Sequence, residues 1–437
     1  IFTNLIHLLL NFNNAFGESM KFIQTLCCQK RILNTKNENE ESQVNENALE
    51  SLVEVTSGNA TFEEAFHKLP IKSVPIQAII SKNEKILTEM NPVAFNLPSI
   101  YELWYNKNYN YQLISGYRLN LSTEFYTAIL KIKIGEIDQE HWLINYDFEG
   151  KIIDSIQVAI FSDGEYEYST TKSTIDQNEI LRTSNFFVKD ADEKEEMQRI
   201  IKILPDGKLK EISEKESILD FVAKELNIEN SKRIEDLEAF KLQPNNPKEA
   251  IVVIPEIVEG SEEEEFFKLH THIAIVDLKS KTITHQYFES CKTNDWVSDA
   301  IRLDEIKIDT APYLVNESTR AFGISVHYFG SSRVNPYHNQ KLSLFVKEKG
   351  TLKNILHNFS MEESSGEWNG NCEGEFESEK KTLIVSDKKT NGYFDFTIKN
   401  TIAKTRNFET EDGDCKEEEE IKKEASVLKF DGKKYAE

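Results

Sequence analysis

Three histidines have the clearest spacing for metal chemistry in this sequence. His270 and His272 lie two positions apart in an alternating apolar run, so a β-strand there places both imidazoles on one face. His285 follows on the expected return strand and could supply a third nitrogen ligand to a zinc-type site. The pairing of the two strands decides whether the three side chains can meet.

The turn between these strands sets their register. Asp277 to Lys281 is typical of a three-residue hairpin loop with Ser280 as its left-handed bulge residue, so Asp277 pairs with Lys281. Counting back along the strands places Ile273 opposite His285 and leaves the first two histidines on the other face. We therefore predict no metal site, since only a one-residue slip would bring the three imidazoles together.

Nucleophilic and acid–base catalysis have no better support. Ser331 and Ser332 follow Gly330 without the strand-to-helix pattern of a nucleophile elbow, and Cys291 has His285 only as a sequence neighbour. Asp and Glu number 75, so no single carboxylate pair indicates a glycosidase. A phosphate-binding glycine loop and a His-Glu-x-x-His motif are both absent from the sequence. We predict no catalytic residue and no cofactor.

The remaining hypothesis is a binding surface on the loop Ser331–His338. Arg333, Asn335 and Tyr337 combine a guanidinium, an amide and an aromatic ring between two predicted strands, which is typical of recognition loops. The structural alternative is that Arg333 pairs with a nearby carboxylate and that Tyr337 covers a strand end. Both interpretations stay open at the level of sequence.

The composition limits the partners that such a loop could bind. A formal net charge of −23 disfavours nucleic acid, because phosphate binding requires a basic surface that releases counterions. With 39% hydrophobic residues, 26 Phe and 15 Tyr among 437 residues, the chain can bury independent cores, and we expect two domains. No run reaches the roughly 18 apolar residues that span a bilayer.

The N-terminal residues suggest export. Residues 1–50 are predicted to form a leader and then a disordered tether, because an early apolar stretch is followed by an Asn- and Glu-rich run over 34–50. A lipid anchor on Cys27 or Cys28 is one alternative for the leader. A mis-assigned start of the chain is another.

Two later cysteines also bear on the compartment. Cys372 and Cys415 lie in similar polar, acidic surroundings that are typical of exposed loops. We predict a disulfide between them, as is ordinary in an oxidising compartment. The alternative is two reduced thiols in a cytosolic protein.

The fold class follows from a turn that recurs between alternating apolar runs. The turns are Asp147–Lys151, Leu204–Lys208, Asp277–Lys281 and Lys347–Thr351. Each has Gly or Ser at the fourth position, where a three-residue hairpin loop needs a left-handed residue. We predict a mainly β protein with two antiparallel β-rich domains, each a sandwich or open barrel, and with a propeller as the alternative.

A helical pattern interrupts the strands near the middle of the chain. Ser213–Leu226 and Ser231–Phe240 are predicted to form two helices, followed by a linker at Gln243–Pro247. The predicted parts are a leader and tether over 1–50, an N-terminal β-rich domain over 51–242 that ends in the two helices, and a C-terminal β-rich domain over 248–437 with an acidic tail.

Residues 296–396 resemble a pattern found in uncharacterised bacterial envelope proteins. The stretches that carry the resemblance are Ser298–Leu303, Ile308–Tyr313, Thr319–Gly323, Ser331–Tyr337 and Gly366–Cys372. No activity is assigned to such proteins, so the resemblance implies an exported, cysteine-bridged domain and nothing catalytic. Arg320, in the third stretch, completes our set of candidate binding residues.

We therefore expect a non-enzymatic, exported bacterial protein that binds a partner protein or a cell-envelope polymer. One alternative is an envelope glycan hydrolase that uses a carboxylate pair, and another is a cytosolic structural protein. A cleft with two converging carboxylates would favour the hydrolase. An open face with aromatic and Arg side chains would favour the binding protein.

Overall fold

The computed structural model describes residues 61–80, 90–101, 111–135, 137–164, 167–188 and 193–436. The predicted leader, tether and lipid-anchor cysteines lie outside these residues. Within them the mainly β class is confirmed, because strands dominate and form two large, mostly antiparallel sheets. No helix in these ranges combines the length and apolar character needed to cross a bilayer.

The first sheet has ten strands and follows chain order almost throughout. The strands are β1 (Ile71–Lys72), β2 (Ile76–Ala78), β3 (Tyr111–Leu119), β4 (Tyr126–Ile134), β5 (Asp138–Tyr146), β6 (Ile152–Asp163), β7 (Glu167–Ile175), β8 (Glu179–Val188), β9 (Glu193–Ile203) and β10 (Leu209–Ile212). From β3 to β10 each strand pairs antiparallel with the next, while β1 joins β3 and β2 joins β7. A meander of this kind needs only short turns.

Both faces of β4 and β5 are largely buried. On one face Leu130 and Ile144 share a core with Phe66. On the other, Ile129 shares a core with Ile180 of β8, so the later strands cover the earlier ones. The helical elements before β3 are α1 (Phe62–Lys68), the 3₁₀ turn Pro92–Phe95 and α2 (Pro98–Tyr101).

The second sheet has thirteen strands. They are β11 (Ala239–Gln243), β12 (Asn246–Ser261), β13 (Phe266–Asp277), β14 (Thr282–Glu289), β15 (Val297–Ser298), β16 (Ile301–Leu314), β17 (Arg320–Gly330), β18 (Tyr337–Glu348), β19 (Thr351–Trp368), β20 (Gly374–Thr390), β21 (Tyr393–Glu409), β22 (Cys415–Phe430) and β23 (Tyr435–Ala436). Its path runs β11-β12-β13-β14-β19-β20-β21-β22-β23, and β16, β17 and β18 attach through β19.

The second sheet folds over its own core and then continues outward as a ribbon. Ile251 and Ile273 of the first strands share a buried cluster with Leu303, Ile324 and Phe345 from β16, β17 and β18. Beyond this core, the second half of β19 pairs with β20, which pairs with β21 and then β22. The outer part of this ribbon is largely exposed on both faces. The hydrophobic core of the second sheet therefore does not depend on this outer part of the ribbon.

All four predicted turns connect strands, but only two have the predicted form. Gly150 and Gly207 take the left-handed position of three-residue loops, with φ of 87° and 85°. In the third turn Lys281, not Ser280, has positive φ, and the loop is one residue longer than predicted. In the fourth, Lys349–Gly350 is a two-residue turn with both φ positive, as type I′ hairpins require.

The first predicted helix is present as α3 (Glu214–Glu225). Ser213 begins it with a capping box: its side chain accepts the N–H of Glu216, and the Glu216 carboxylate accepts the N–H of Ser213. The buried face of α3 includes Ile218 and Val222, which pack with Val252 of β12. The helix therefore covers the outer face of the second sheet.

The second predicted helix, Ser231–Phe240, is wrong. The chain forms two 3₁₀ turns there, Asn230–Lys232 and Glu235–Leu237, and Arg233 between them is extended, with φ −92° and ψ 143°. The apolar residues with helical spacing are buried in the core of the second sheet, although no helix forms. Side-chain contacts of Arg233 with Glu238 and Asp220 hold this path.

The predicted linker Gln243–Pro247 is also wrong. Gln243 pairs with Asn246 in the hairpin between β11 and β12, so this segment lies inside the second sheet. The change of sheet occurs earlier, between Ile212 and Ala239. The domain limits themselves stay a prediction.

Candidate recognition groove

An open groove of about 540 Å³ lies at the outer end of the ribbon, beside the predicted recognition loop. Three segments of chain form its walls: the loop between β17 and β18, the turn between β19 and β20, and the end of β21. The lining residues are Val334, Asn335, Glu367, Trp368, Asn369, Glu373, Gly374, Glu375, Arg406, Asn407 and Phe408.

The recognition loop is fixed to β19 by backbone hydrogen bonds. The Gly366 N–H donates to the Pro336 carbonyl at 3.1 Å, and the Trp368 N–H donates to the Val334 carbonyl at 2.8 Å. These bonds continue the ladder between β18 and β19 past the start of β18. Asn335 is consequently held beside the groove by the backbone on both sides of it.

A side-chain network shapes the turn between β19 and β20. The Asn369 side-chain oxygen accepts the N–H groups of Asn371 and Glu373, at 2.9 and 3.2 Å, and its amide donates to the Glu373 carboxylate at 3.2 Å. The indole N–H of Trp368 donates to the Asn371 carbonyl at 3.2 Å. The ring of Trp368 is therefore fixed at its edge, and it is half-buried.

Gly374 leaves space for two aromatic rings. It lies directly opposite Trp368 in the ladder, and a Cβ placed there would come within 3.1 Å of the Trp368 ring and 2.9 Å of the Phe376 ring. A larger residue at this position would displace one of these rings. The glycine is thus part of the shape of the groove.

A disulfide joins Cys372 and Cys415, whose Cα atoms are 5.5 Å apart. Cys372 lies in the turn before β20 and is buried, and Cys415 is the first residue of β22. The bridge ties the turn that carries Asn369 to the end of the β21–β22 hairpin. It thereby holds two walls of the groove together.

The lining alternates charge and aromatic surface. Glu367, Glu375 and Arg406 are directly opposite one another across three neighbouring strands, so their side chains share one face. The guanidinium of Arg406 lies 5.8 Å from the centre of the Phe408 ring. The carboxylates of Glu367 and Glu375, the guanidinium of Arg406 and the Phe408 ring therefore lie on one face of the sheet, whereas Trp368, next to Glu367 on its strand, lies on the other face.

One buried side-chain polar atom of the lining residues lacks a hydrogen-bond partner within the described residues. The side-chain oxygen of Asn407 is buried and has no hydrogen bond within the described residues. A buried acceptor without a partner costs free energy, on the order of 1–3 kcal/mol.

The structure brings three of the four predicted binding residues to the groove region. Asn335 lines the groove, and Arg333 is exposed two residues before it, with no ion pair to any described residue. Tyr337 begins β18, opposite Gly330 and Ser365. Burial raises the pKa of Tyr337, and nearby Glu363 raises it further. Tyr337 is thus half-buried at the start of a strand, and Arg333 pairs with no carboxylate of the described residues.

Arg320, the fourth predicted residue, lies elsewhere. It begins β17, whose far end carries the recognition loop, so roughly 30 Å of strand separates the two. Its guanidinium donates to the carbonyl of Thr310 on the neighbouring strand. Arg320 therefore stabilises the β16–β17 hairpin and is not part of the groove.

The strand register separates the histidines, although not by the predicted pairing. Ile275, not Ile273, stands opposite His285, and Ile273 stands opposite Tyr287. The longer loop and an irregularity next to Ile275 account for the two-residue error. Because the error is even, His285 still lies on the face of the buried isoleucines.

His270 and His272 have structural partners on the opposite face. The His270 Nδ1 accepts the N–H of Cys291 at 3.0 Å, and the His272 Nε2 lies 2.9 Å from the Glu256 carboxylate. Burial lowers the pKa of His272, and the attraction of Glu256 only partly opposes this. No group of three metal-ligating side chains occurs in the described ranges.

Sequence reasoning missed most of the lining. Trp368, Arg406 and Phe408 were not predicted as binding residues, because they lie far from the loop in sequence. The predicted disulfide could have indicated that these residues lie near one another. A bond between Cys372 and Cys415 implies that the chain just before each cysteine meets at one end of the sheet.

Comparison with known proteins adds no identity. No protein-family model matches the chain, and no curated protein matches it. Among solved structures, a subtype N11 neuraminidase-like protein of A/flat-faced bat/Peru aligns at 8% identity over 75% of this chain and 84% of that chain, with a TM-score of 0.11. A TM-score this low carries no argument about fold or function.

Proposed function

We propose that this protein binds a polyhydroxylated polymer, such as a cell-envelope glycan, in the recognition groove and does not alter it chemically. The observation that supports this proposal is the composition of the lining, which combines fixed acceptors and donors with half-buried aromatic rings. Carboxylates of Glu367 and Glu375, the guanidinium of Arg406 and the amide of Asn407 are all within one groove.

A sugar hydroxyl matches such a lining because it donates and accepts hydrogen bonds at once. Carboxylates only accept and guanidinium only donates, so a ligand with hydroxyl groups can satisfy both kinds of side chain. The apolar face of a sugar ring can in turn lie on Trp368 or Phe408, in the way that aromatic rings bury flat apolar surface. An anionic polymer is disfavoured by the net charge of −23.

The openness of the groove favours a polymer over a small molecule. A volume of about 540 Å³ is within the range of ligand sites, but the lining residues lie at the surface on strand ends and turns. A chain can therefore pass through the groove and extend at both ends. Export of the protein is part of this proposal, and the disulfide between Cys372 and Cys415 supports it, since such bonds persist in oxidising compartments.

Binding of neutral oligosaccharides of increasing length, measured by titration calorimetry, tests the proposal. Trp368→Ala and Arg406→Ala should each weaken binding by about 1–3 kcal/mol, the range for interface anchors. The matched control is Phe186→Ala, which removes an exposed ring from the first sheet and should leave affinity unchanged.

Salt separates this proposal from a basic protein partner. Hydrogen bonds and ring stacking to a neutral glycan should weaken little between about 0.05 and 0.5 M salt, whereas attraction between carboxylates and a Lys-rich segment should be strongly screened. If a Lys-rich peptide binds, with strong salt dependence, and no oligosaccharide does, the glycan proposal is wrong.

The runner-up, a glycan hydrolase, is favoured by one observation. Glu367 and Glu375 stand directly opposite each other, and a like-charge pair of this kind destabilises a sheet. A catalytic role would explain why the pair is present. Both side chains are exposed, however, and a glycosidase normally places its acid in a desolvated site. Release of reducing ends that disappears in Glu367→Gln and Glu375→Gln would establish the hydrolase.

A further inference from the structure

Within the part of the chain that the structure describes, strand β22 has no neighbouring strand on its outer edge from 415 to 425. Its inner edge pairs with β21 from Cys415 to Leu428, without a register shift. On its outer side, β23 pairs only with Lys429 and Phe430. No strand of the described residues covers the outer edge between 415 and 425, and every residue in that span is exposed.

The turn before β22 shows which backbone groups point outward. Thr410 N–H donates to the Asp414 carbonyl, and the Gly413 N–H donates to the Thr410 carbonyl, both at 2.9 Å. Since hydrogen-bonded and non-hydrogen-bonded pairs alternate along an antiparallel ladder, the even-numbered residues of β22 bond to β21. The odd-numbered residues direct their N–H and C=O groups to the free edge. Lys429 agrees with this count, because it pairs outward with Ala436.

The side chains on this edge form a self-complementary pattern. Residues 416–424 read Lys-Glu-Glu-Glu-Glu-Ile-Lys-Lys-Glu. If a second copy runs antiparallel with Glu420 on the two-fold axis, every odd-numbered residue faces an odd-numbered residue, as the hydrogen bonds require. The opposite-charge pairs on each side of the axis are then Lys416 with Glu424, Glu417 with Lys423, and Glu418 with Lys422.

Neighbouring registers fit less well. Centring the axis on Ile421 keeps two opposite-charge pairs on each side but sets Glu418 against Glu424. The register centred on Glu420 has one like-charge contact, between the two copies of Glu420 on the axis itself. It also stops short of Lys429, where β23 already occupies the edge.

We propose that the outer edge of β22 is a self-association surface, on which Lys416–Glu424 pairs antiparallel with the same segment of a second copy about a two-fold axis at Glu420. A two-fold contact of this kind is isologous and closed, so it yields a dimer and not a fibre. It adds a strand to an exposed sheet edge, with main-chain bonds for affinity and side-chain charges for register. The proposal does not depend on the function proposed for the groove.

Charge-reversal variants test the surface against the simpler reading that charged residues merely keep this edge from aggregating. Lys422→Glu/Lys423→Glu and Glu417→Lys/Glu418→Lys each set like charges opposite one another in the dimer. Sedimentation velocity over a concentration series should show a dimer for the wild type and at least about tenfold weaker association for either variant.

Two further samples make the test specific. An equimolar mixture of the two variants restores every opposite-charge pair and should give a heterodimer. The chain carrying all four substitutions should regain the homodimer, and it keeps the formal net charge of −23. A purely global charge effect predicts instead that Glu417→Lys/Glu418→Lys, the less negative variant, associates more strongly than the wild type.

Several results would overturn the proposal. A monomeric wild type at all concentrations, or variants that dimerise as well as the wild type, would exclude this edge as the contact. Hydrogen exchange adds a second criterion: the odd-numbered amides of β22 should gain protection with protein concentration. If they are protected in a monomer, another segment of the chain covers the edge and the proposal fails.

Discussion

Removing Arg233 should destabilise the protein more than any surface ion pair can. Its guanidinium forms two bonds to the Glu238 carboxylate, at 2.6 and 2.9 Å, and a third to Asp220 of α3 at 2.7 Å. The side chains of Arg233 and Glu238 are only 7% and 2% exposed. Asp220 also binds Lys202 of β9, so the cluster connects the first sheet, α3 and the start of β11.

The size of the stability loss depends on which charge remains buried after the substitution. Arg233→Met keeps the side-chain volume but leaves the Glu238 carboxylate buried without a counter-charge, and breaking a buried pair in this way costs about 3–5 kcal/mol. Replacing both partners, in Arg233→Met/Glu238→Met, removes the orphaned charge. The double variant should therefore recover most of the loss, to within about 1–2 kcal/mol of the wild type.

Denaturant unfolding of these variants provides the measurement. Arg302→Met is the matched control, because Arg302 pairs with Asp304 at 2.5 Å while 64% of its side chain is exposed, and such pairs contribute about 0–1 kcal/mol. A loss in Arg233→Met no larger than that of Arg302→Met would refute the reasoning. So would a double variant that is less stable than the single one.

Other predictions concern the disulfide, pH and the N-terminus. Cys372→Ala/Cys415→Ala should lower the free energy of unfolding by about 4 kcal/mol in the chain-entropy model, given a sequence separation of 43, and denaturant midpoints of the oxidised protein and the double variant measure it. Because burial lowers the pKa of His272, the unfolded chain binds more protons near pH 6. Stability should therefore fall as pH drops below the unfolded pKa of about 6.5, and His272→Gln should reduce that fall in midpoints measured across this window. Truncation at Glu50 should leave the melting temperature unchanged in calorimetry, and a drop of several degrees would show that the segment docks.

The form of a turn could be predicted from sequence only where glycine occupies the left-handed position. Gly150 and Gly207 each occupy the left-handed position that their turns require. At the third and fourth turns Lys281 and Lys349 adopt positive φ, which is sterically unfavourable for lysine. The sequence gives no sign of this conformation. Asn391-Gly392 forms a two-residue turn with both φ positive in the β20–β21 hairpin, and Asn-Gly is a sequence signal for a type I′ turn.

The false helix at Ser231–Phe240 shows tertiary contacts overriding a periodic pattern. Ile234 and Leu237 have helical spacing, and both are buried in the core of the second sheet. What breaks the helix is Arg233, which reaches Asp220 on another element and Glu238 beyond the next turn. A sequence pattern cannot show which carboxylates a buried guanidinium will select.

Only one wall of the groove, the loop with Asn335, could be predicted from sequence. The loop with Asn335 has a composition that signals recognition by itself. Its opposite wall depends on the register of ladders as long as β20–β21, and a shift of one residue would exchange the faces of Glu375 and Phe376. Register over such a length is set by the disulfide and by both end turns together.

The groove and the free edge lie on adjacent strands, and this gives the two proposals a joint consequence. Asn407 stands opposite Glu417, so in the proposed dimer the two copies of Asn407 would be about 25 Å apart, from strand rise and strand spacing. The two-fold axis is perpendicular to the sheet, so both grooves open on the same side. A single polymer chain could then occupy both, and the second contact would be intramolecular, which raises avidity by about 10²-fold or more. Oligosaccharides too short to span both grooves should bind the wild type and the monomeric Lys422→Glu/Lys423→Glu variant equally, whereas long chains should bind the dimer far more tightly. Equal affinity of long chains for dimer and monomer would separate the two surfaces functionally, even if each proposal held alone.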